Sequence, residues 1–242
     1  TGHPTEAMEL YNSMIHPLTP YALRGILWYQ GEGNVVQREN YIYRLQALHR
    51  GWKKAFQHPN LPFYIVQLPF FKYGYDSAPE RQFSLSRFMA AQATYADQEE
   101  NAHITIITDV SDLDDIHPKN KKPVGERLAN QALVYEYGYQ DRICDGARVI
   151  KISREGKTIK LEFNHELLTV DGENPDCFEI AGPDRIYQTA QTAIQGNRIT
   201  LQANNLPEPL FVRFAWHETS QPNLRSAGLP VSPFSMSCLP TN

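Results

Sequence analysis

Trp28-Tyr-Gln-Gly-Glu-Gly-Asn34 closes an apolar run that begins at Arg24-Gly-Ile-Leu27. A short unbroken apolar run reads as a strand buried on both faces, and such strands belong to parallel sheets covered by helices. The signals around it alternate in the matching way. Upstream, residues 5–15 carry Met8, Tyr11 and Ile15 at helical spacing, with Pro17 beyond them. Downstream, Tyr41, Leu45, Leu48, Trp52 and Phe56 keep a helical period until Pro59 and Pro62 stop it. Phe63-Tyr-Ile-Val-Gln-Leu68 is a second buried strand, ended by Pro69. Leu85, Phe88, Gln92 and Tyr95 mark another helix, and His103-Ile-Thr-Ile-Ile-Thr108 a third strand. Val124, Leu128, Gln131 and Tyr135 mark a third long helix, with Gly138 as its C-cap. This alternation predicts an α/β fold, a parallel sheet between helical layers in an α/β/α arrangement. In such sheets sites form at the carboxyl ends of the strands. Those ends are here Gln30-Gly31, Leu68-Pro69 and Asp109.

The pattern changes near residue 142, where helical periods give way to hairpins. Val149-Ile-Lys-Ile-Ser153 and Thr158-Ile-Lys-Leu-Glu-Phe163 flank a turn at Arg-Glu-Gly-Lys. Residues 186–194 and Arg198-Ile-Thr-Leu-Gln202 flank Gln-Gly-Asn, and Leu210-Phe-Val-Arg-Phe-Ala-Trp216 is a strong strand with a polar Arg213. Residues 142–242 therefore read as a small all-β, sandwich-like domain following an α/β domain over residues 1–141.

The 242 residues are 41% hydrophobic and 21% charged, which suits a packed core and not disorder. The length admits one large or two small domains. A net charge of −4 argues against nucleic acid as a partner, because neutralising phosphates takes a basic surplus. No run approaches the ~18 apolar residues of a membrane-spanning helix. Cys144, Cys177 and Cys238 are too few for a disulfide scaffold and wrongly spaced for zinc. One disulfide with an odd thiol and three reduced thiols both stay open. The amino end, Thr-Gly-His-Pro-Thr, has no initiator Met, basic region or apolar leader. A mature secreted chain and the downstream part of a larger precursor both start this way.

Two segments concentrate polar chemistry. In the first, Gln30, Gly31, Glu32 and Asn34 crowd the end of a buried strand. An amide of Gln30 or Asn34 is suited to donate to an oxyanion, and Gly31 lets a substrate approach the backbone. An ordinary solvated turn has the same composition. In the second, Asp109-Val-Ser-Asp-Leu-Asp-Asp-Ile-His117-Pro118, Asp114 and His117 form an Asp-x-x-His pair. On a tight loop that spacing lets a carboxylate orient an imidazole whose other nitrogen faces a nucleophile. A helix-capping acidic loop is the competing reading, and a calcium loop a weaker one, since the EF-hand pattern is absent. His16, before Pro17, reads as buried and hydrogen-bonded; His49 and His58 read as surface positions, and His217 ends the Trp216 strand. No His-x-x-x-His spacing supports a zinc hydrolase. No Gly-x-Ser-x-Gly elbow occurs. Ser13 reads as a packing or capping residue, Ser84 and Ser86 flank a helix face, and nothing marks Ser111 as activated.

Together these segments resemble the sialate O-acetylesterase family, a branch of the SGNH hydrolases. The resemblance rests on Leu10-Tyr-Asn-Ser-Met-Ile-His-Pro-Leu18, Gly25-Ile-Leu-Trp-Tyr-Gln-Gly-Glu-Gly-Asn34, Ala91-Gln92 and Asp115-Ile-His-Pro-Lys-Asn-Lys-Lys-Pro-Val-Gly-Glu-Arg-Leu-Ala129. Val212-Arg-Phe-Ala-Trp216 and Asn223-Leu-Arg-Ser-Ala-Gly-Leu-Pro-Val-Ser-Pro-Phe234 complete it. It implies an SGNH-like sheet, a serine esterase that removes acetyl groups from sugars, no cofactor and no metal. It implies His117 as general base and Asp114 as its orienting carboxylate, with Asp115 the alternative because many relatives carry Asn at position 114. Gln30, Gly31, Glu32 and Asn34 fall in the block that binds substrate and oxyanion. The family's nucleophile lies in a Gly-Gln-Ser-Asn-type motif on the first strand, before the region where this chain starts. The resemblance thus implies the downstream portion of an enzyme, inactive alone, whose serine comes from an upstream segment of the same precursor or from an oligomer partner. An extracytoplasmic location goes with that reading. A non-catalytic carbohydrate-binding fragment is the alternative.

Overall fold

The structure, a computed structural model, describes residues 8–239. Three parallel strands, β1 (Ile26–Trp28), β2 (Phe63–Val66) and β3 (Ala102–Thr105), lie side by side in that order. Ile26 pairs with Phe63 and Trp28 with Ile65, while Phe63 pairs with Ala102 and Val66 with Thr105. Helices α1 (Tyr41–Ala55), α2 (Ser84–Gln98) and α3 (Lys122–Tyr135) fill the connections.

The central strand shows why the sheet needs helices on both faces. All four residues of β2 are buried, and their side chains alternate between the two faces. Phe63 and Ile65 join the core that holds Tyr41 and Leu45 of α1 and Leu85, Phe88 and Met89 of α2. Val66 packs instead with Ile107 and with Val124 and Leu128 of α3. Tyr64, on that same face, stacks at 5.1 Å on His103, which stacks at 3.7 Å on Tyr135 of α3. The expected α/β/α layering is therefore present. Of the expected first helix, residues 5–7 lie outside the described residues, and the remainder is a wide turn at Tyr11–Ile15 followed by a tight one at His16–Leu18.

The β-rich half begins with β4 (Val149–Glu155) and β5 (Thr158–Phe163), the first expected hairpin. It continues through β6 (Leu168–Thr169), β7 (Phe178–Ala181), β8 (Gln188–Thr189), β9 (Gln191–Gln195), β10 (Arg198–Gln202), β11 (Phe211–Phe214), β12 (Leu224–Ser226), β13 (Leu229–Pro230) and β14 (Phe234–Ser237). Sheets β4-β5-β10-β9 and β14-β11-β7-β8 carry the inner-face rings Phe163, Phe178, Phe214 and Phe234, and β13-β12-β6 forms a third, smaller sheet. The second expected hairpin is shorter than its apolar pattern. Ile186 is exposed, and at Ala190 the chain passes from β8 in one sheet to β9 in the other. Both halves share one hydrophobic cluster, so the β-rich half packs on the α/β half.

Candidate active site

The strands stop hydrogen bonding before their apolar runs end, because buried amides take over. Gln92 of α2 accepts from the Leu68 N–H at 2.9 Å and donates to the Val66 carbonyl at 3.2 Å, which caps β2. On the other face, Gln131 of α3 donates to the Ile104 carbonyl at 2.8 Å and accepts from the Thr105 hydroxyl at 2.7 Å, which caps β3. Both glutamines are fully buried. Buried polar groups must be paired, so these latches fix where each loop departs.

After β1, the four predicted residues share one tight turn. Gln30 Nε2 donates to Asn34 Oδ1 at 2.8 Å, and the Gly31 N–H donates to Glu32 Oε2 at 3.0 Å. The Asn34 N–H closes the turn on the Gly31 carbonyl at 2.8 Å. Tyr41 anchors it through a 3.1 Å bond to the Gln30 carbonyl. Burial pushes the Tyr41 hydroxyl up to about 12, so it stays a donor. Only glycine fits at position 31: a Cβ there would stand 2.6 Å from two ring carbons of Phe88. One amide hydrogen of Gln30 is spent on Asn34, leaving the other for a ligand.

After β3, Asp109 is held by Arg127 of α3 through two bonds of 2.7 and 2.6 Å. Ser111 donates to the Thr108 carbonyl and accepts from the Phe70 N–H, both at 2.8 Å, and the Lys72 N–H donates to the Leu113 carbonyl at 3.2 Å. The loops after β2 and β3 are thereby stitched together. Asp112 Oδ1 accepts from the Asp114 and Asp115 N–H groups, and Asp115 Oδ1 from the His117 N–H at 2.9 Å. Asp112 and Asp115 thus close local turns of the loop and cap no helix: the residue before α3 is Lys121, which makes no side-chain cap bond. Among the described residues no carboxylate is bonded to the His117 imidazole, which faces solvent, as does Asp114. The expected Asp114–His117 hydrogen bond is not formed here, and Asp115 binds the backbone of His117 and not its ring. Catalytic hydrogen bonds commonly tighten only once a substrate is in place.

Residues flanking the two predicted segments meet. Lys121, four residues beyond His117, places its ammonium 4.9 Å from the ring centre of Tyr29, the neighbour of Gln30. Both segments open on the carboxyl side of the same sheet.

Other candidates fall elsewhere. Ser13 bonds the Glu9 carbonyl, and Ser84 and Ser86 are buried in α2. All three cysteines are free thiols, and burial raises each of them. His16 is exposed and not buried. His49 is not a surface residue: it is 1% exposed, its Nε2–H donates to the Leu61 carbonyl at 2.8 Å, and its Nδ1 accepts from Tyr95 at 2.7 Å. Burial lowers its pKa, consistent with this neutral tautomer.

The least foreseen feature joins the two halves. His217 lies 3.2 Å from Asp76, in the loop after β2, and 3.2 Å from Glu179 of β7. Flanked by two carboxylates, both its nitrogens donate, and these bonds raise its pKa to about 9. Arg213 grips Glu179 at 2.7 and 3.0 Å between the rings of Phe83 and Tyr187. Although burial opposes it, hydrogen bonds from His217 and Arg213 hold Glu179 down at about 2. The one signal for this network in the sequence was an arginine inside an apolar strand, which requires a buried partner.

The layered parallel sheet, with its polar loops at one end and a β-rich unit packed on it, defines a layered α/β protein with a fused β-rich unit. Residues 3–133 match the family described as carbohydrate esterase, sialic acid-specific acetylesterase, and the chain belongs to that family. The sialate O-acetylesterase of Rattus norvegicus is 27% identical over 198 residues, covering 74% of this chain and 35% of that protein. The Homo sapiens enzyme of the same name is 29% identical over 166 residues, covering 62% and 31%. A carbohydrate acetylesterase from Xanthomonas citri, known from its crystal structure, superposes with a TM-score of 0.87 at 32% identity, covering 94% of this chain and 53% of its own. The chain spans about a third of the length of the curated relatives and about half of the solved one.

Proposed function

We propose that this chain is the downstream portion of a carbohydrate O-acetylesterase, acting on O-acetylated sialic acid or a related sugar. The observation that carries the reading is that the 30–34 turn and the 109–117 loop both open on the carboxyl side of one parallel sheet, with the flanking residues Tyr29 and Lys121 in contact. In this reading a serine from an upstream segment or partner copy attacks the acetyl carbonyl while His117 takes its proton. Gln30 or Asn34 donates to the oxyanion. The bond to the sugar oxygen breaks, that oxygen takes the proton from the imidazolium, and water activated by His117 then releases acetate from the serine. Asp114 orients the imidazole once the site is complete. A place for an added strand is available: β1 pairs only with β2 among the described residues, and Leu27 on it is 60% exposed. An extracytoplasmic location fits an enzyme of this substrate class.

The test is an ester assay. The 242-residue chain should be inactive on an aryl acetate and on an O-acetylated sugar, and the chain extended upstream should be active on both. His117→Ala in the extended chain should lower turnover by at least ~10²-fold with the fold intact. Turnover within a few fold of the parent would remove His117 from the mechanism, and His117-dependent turnover by the 242-residue chain would remove the upstream serine.

A further inference from the structure

The loop after β2 is gripped at both ends of a short stretch. At the far end, Glu218 of the β-rich half, 4% exposed, accepts from the Gly74 N–H at 2.8 Å with one carboxylate oxygen and from the Tyr75 N–H at 3.1 Å with the other. Gly74 takes a φ of 80°, a left-handed turn of the kind that aims successive N–H groups at one anion. Asp76 returns the connection, accepting from the Glu218 N–H at 3.0 Å and from His217 at 3.2 Å. At the near end, the Phe70 N–H donates to Ser111 Oγ at 2.8 Å and the Lys72 N–H to the Leu113 carbonyl at 3.2 Å. Both acceptors belong to the loop that carries His117.

Between the two grips the chain is stiffened by its own half-buried rings. Phe71 meets Tyr73 edge-on with ring centres 4.8 Å apart, and Tyr73 stacks parallel on Tyr75 at 4.9 Å. A displacement at 74–75 is therefore carried to 70–72 through packed groups and not through slack chain. Beyond Leu113, the bonds of the His117 loop are internal, from Asp112 and Asp115 to its own backbone.

We propose that Glu218 is a positioning residue for His117: the β-rich half sets the loop of the base by holding the stretch 70–76. The role of His117 is taken from the esterase reading; the coupling of Glu218 to its loop is independent of it. A carboxylate as buried as Glu218 has to be paired. Among the described residues it is bonded to no Lys or Arg, and its oxygens are satisfied by backbone N–H groups of the other half. The junction thus closes with the loop after β2 in one position, and that position fixes where Phe70 and Lys72 meet the loop of the base.

Hydrogen exchange of the 242-residue chain, read amide by amide by NMR, measures the coupling without any turnover. Glu218→Ala should speed exchange of the Phe70 and Lys72 N–H groups about tenfold or more, and shift the imidazole resonances of His117. The Leu68 N–H, held by Gln92, and the Ile26 N–H, held by the Pro62 carbonyl, should stay within about threefold of the parent. Glu218→Gln keeps one acceptor for two donors and should fall between. In the chain extended upstream, Glu218→Ala should lower kcat about tenfold or more with KM within about threefold, because a displaced base costs the chemical step and not binding. Glu218→Gln should recover part of that loss. Unchanged exchange at Phe70 and Lys72 overturns the coupling, and so does an equal rise at all four amides, which reports general loosening. Faster exchange at Phe70 and Lys72 with kcat within about threefold of the parent overturns the positioning role. Should Glu218→Ala fail to fold, the same criteria are read on Glu218→Gln. An inactive extended parent chain marks failure of the esterase reading, and leaves the exchange criteria to judge the coupling.

Discussion

Gly31→Ala is the substitution whose effect the structure defines most sharply. The added methyl would sit 2.6 Å from two ring carbons of Phe88 and 3.2 Å from Leu68. Carbon atoms rest at about 3.5–4.0 Å, so the ring would have to retreat by roughly 1 Å. It has nowhere to go: Phe88 is fully buried and the Tyr41 ring lies 4.2 Å behind it, itself bonded to the Gln30 carbonyl. Overpacking of this kind costs about 1–3 kcal/mol, and a rigid aromatic neighbour places this site in the upper part of that range. Urea unfolding of the parent chain, Gly31→Ala, Phe88→Leu and the double variant makes the test specific. If the clash is the cause, the double variant should be more stable than the sum of the single changes predicts, by about 1 kcal/mol or more. A Gly31→Ala chain within about 0.5 kcal/mol of the parent, or strict additivity with Phe88→Leu, would show that Phe88 does not dictate the glycine.

Removing the latch on β2 by Gln92→Leu leaves the buried Leu68 N–H and Val66 carbonyl without partners, and should cost about 1–3 kcal/mol in the same unfolding assay; a neutral result would mean those groups are satisfied another way. The His217 network predicts a pH signature. Its pKa is raised from 6.5 to about 9, so its stabilising contribution is complete below 6.5 and is lost as pH rises through about 9. Glu179, lowered from 4.5 to about 2, contributes above 4.5 and is lost as pH falls through about 2. The difference in Tm between the parent and His217→Gln should therefore be greatest near pH 5–6 and vanish above about pH 9; a difference constant with pH would refute the charged form of His217.

Legibility in the sequence followed the range of the interactions. Buried runs and helical periods depend on neighbours a few residues apart, and they located β1, β2, β3 and the three helices. Strand ends were less legible, because the end of β3 at Thr105 is set by Gln131, 26 residues away. The 30–34 turn was legible because the bonds that close it, Gln30 to Asn34, Gly31 to Glu32 and Asn34 to Gly31, are local, although its anchor at Tyr41 is not. His49 was misread because its partners, Leu61 and Tyr95, lie 12 and 46 residues off and only the fold unites them. The Asp114–His117 spacing suggested a pair, but spacing says nothing about side-chain torsions, and both groups turn to solvent. Asp76 and His217, 141 residues apart, left no local pattern at all.

Some contacts between the halves reach α2, where Asp97 meets Arg148, and α3, where Gln131 and Tyr135 meet Asp145, and a further group lands on one stretch of chain. Gln67 donates to Ser232 at 2.8 Å, Glu218 holds Gly74 and Tyr75, and Asp76 meets His217. In this group, all the residues of the α/β half follow β2, whose carboxyl end lies in the middle of the three-stranded sheet. A central loop is flanked by the loops after β1 and β3, so holding it rigid constrains the groups on either side. Loops left to themselves are the mobile part of a fold, and a site built on them needs support to keep its geometry. The bracing is made of charged groups at a partly buried junction, and breaking one partner of such a set leaves the others unpaired. The β-rich half is therefore better understood as part of the site's framework than as an appendage. The arrangement of Tyr73, Tyr75 and the residues around them follows from where its carboxylates and imidazole stand.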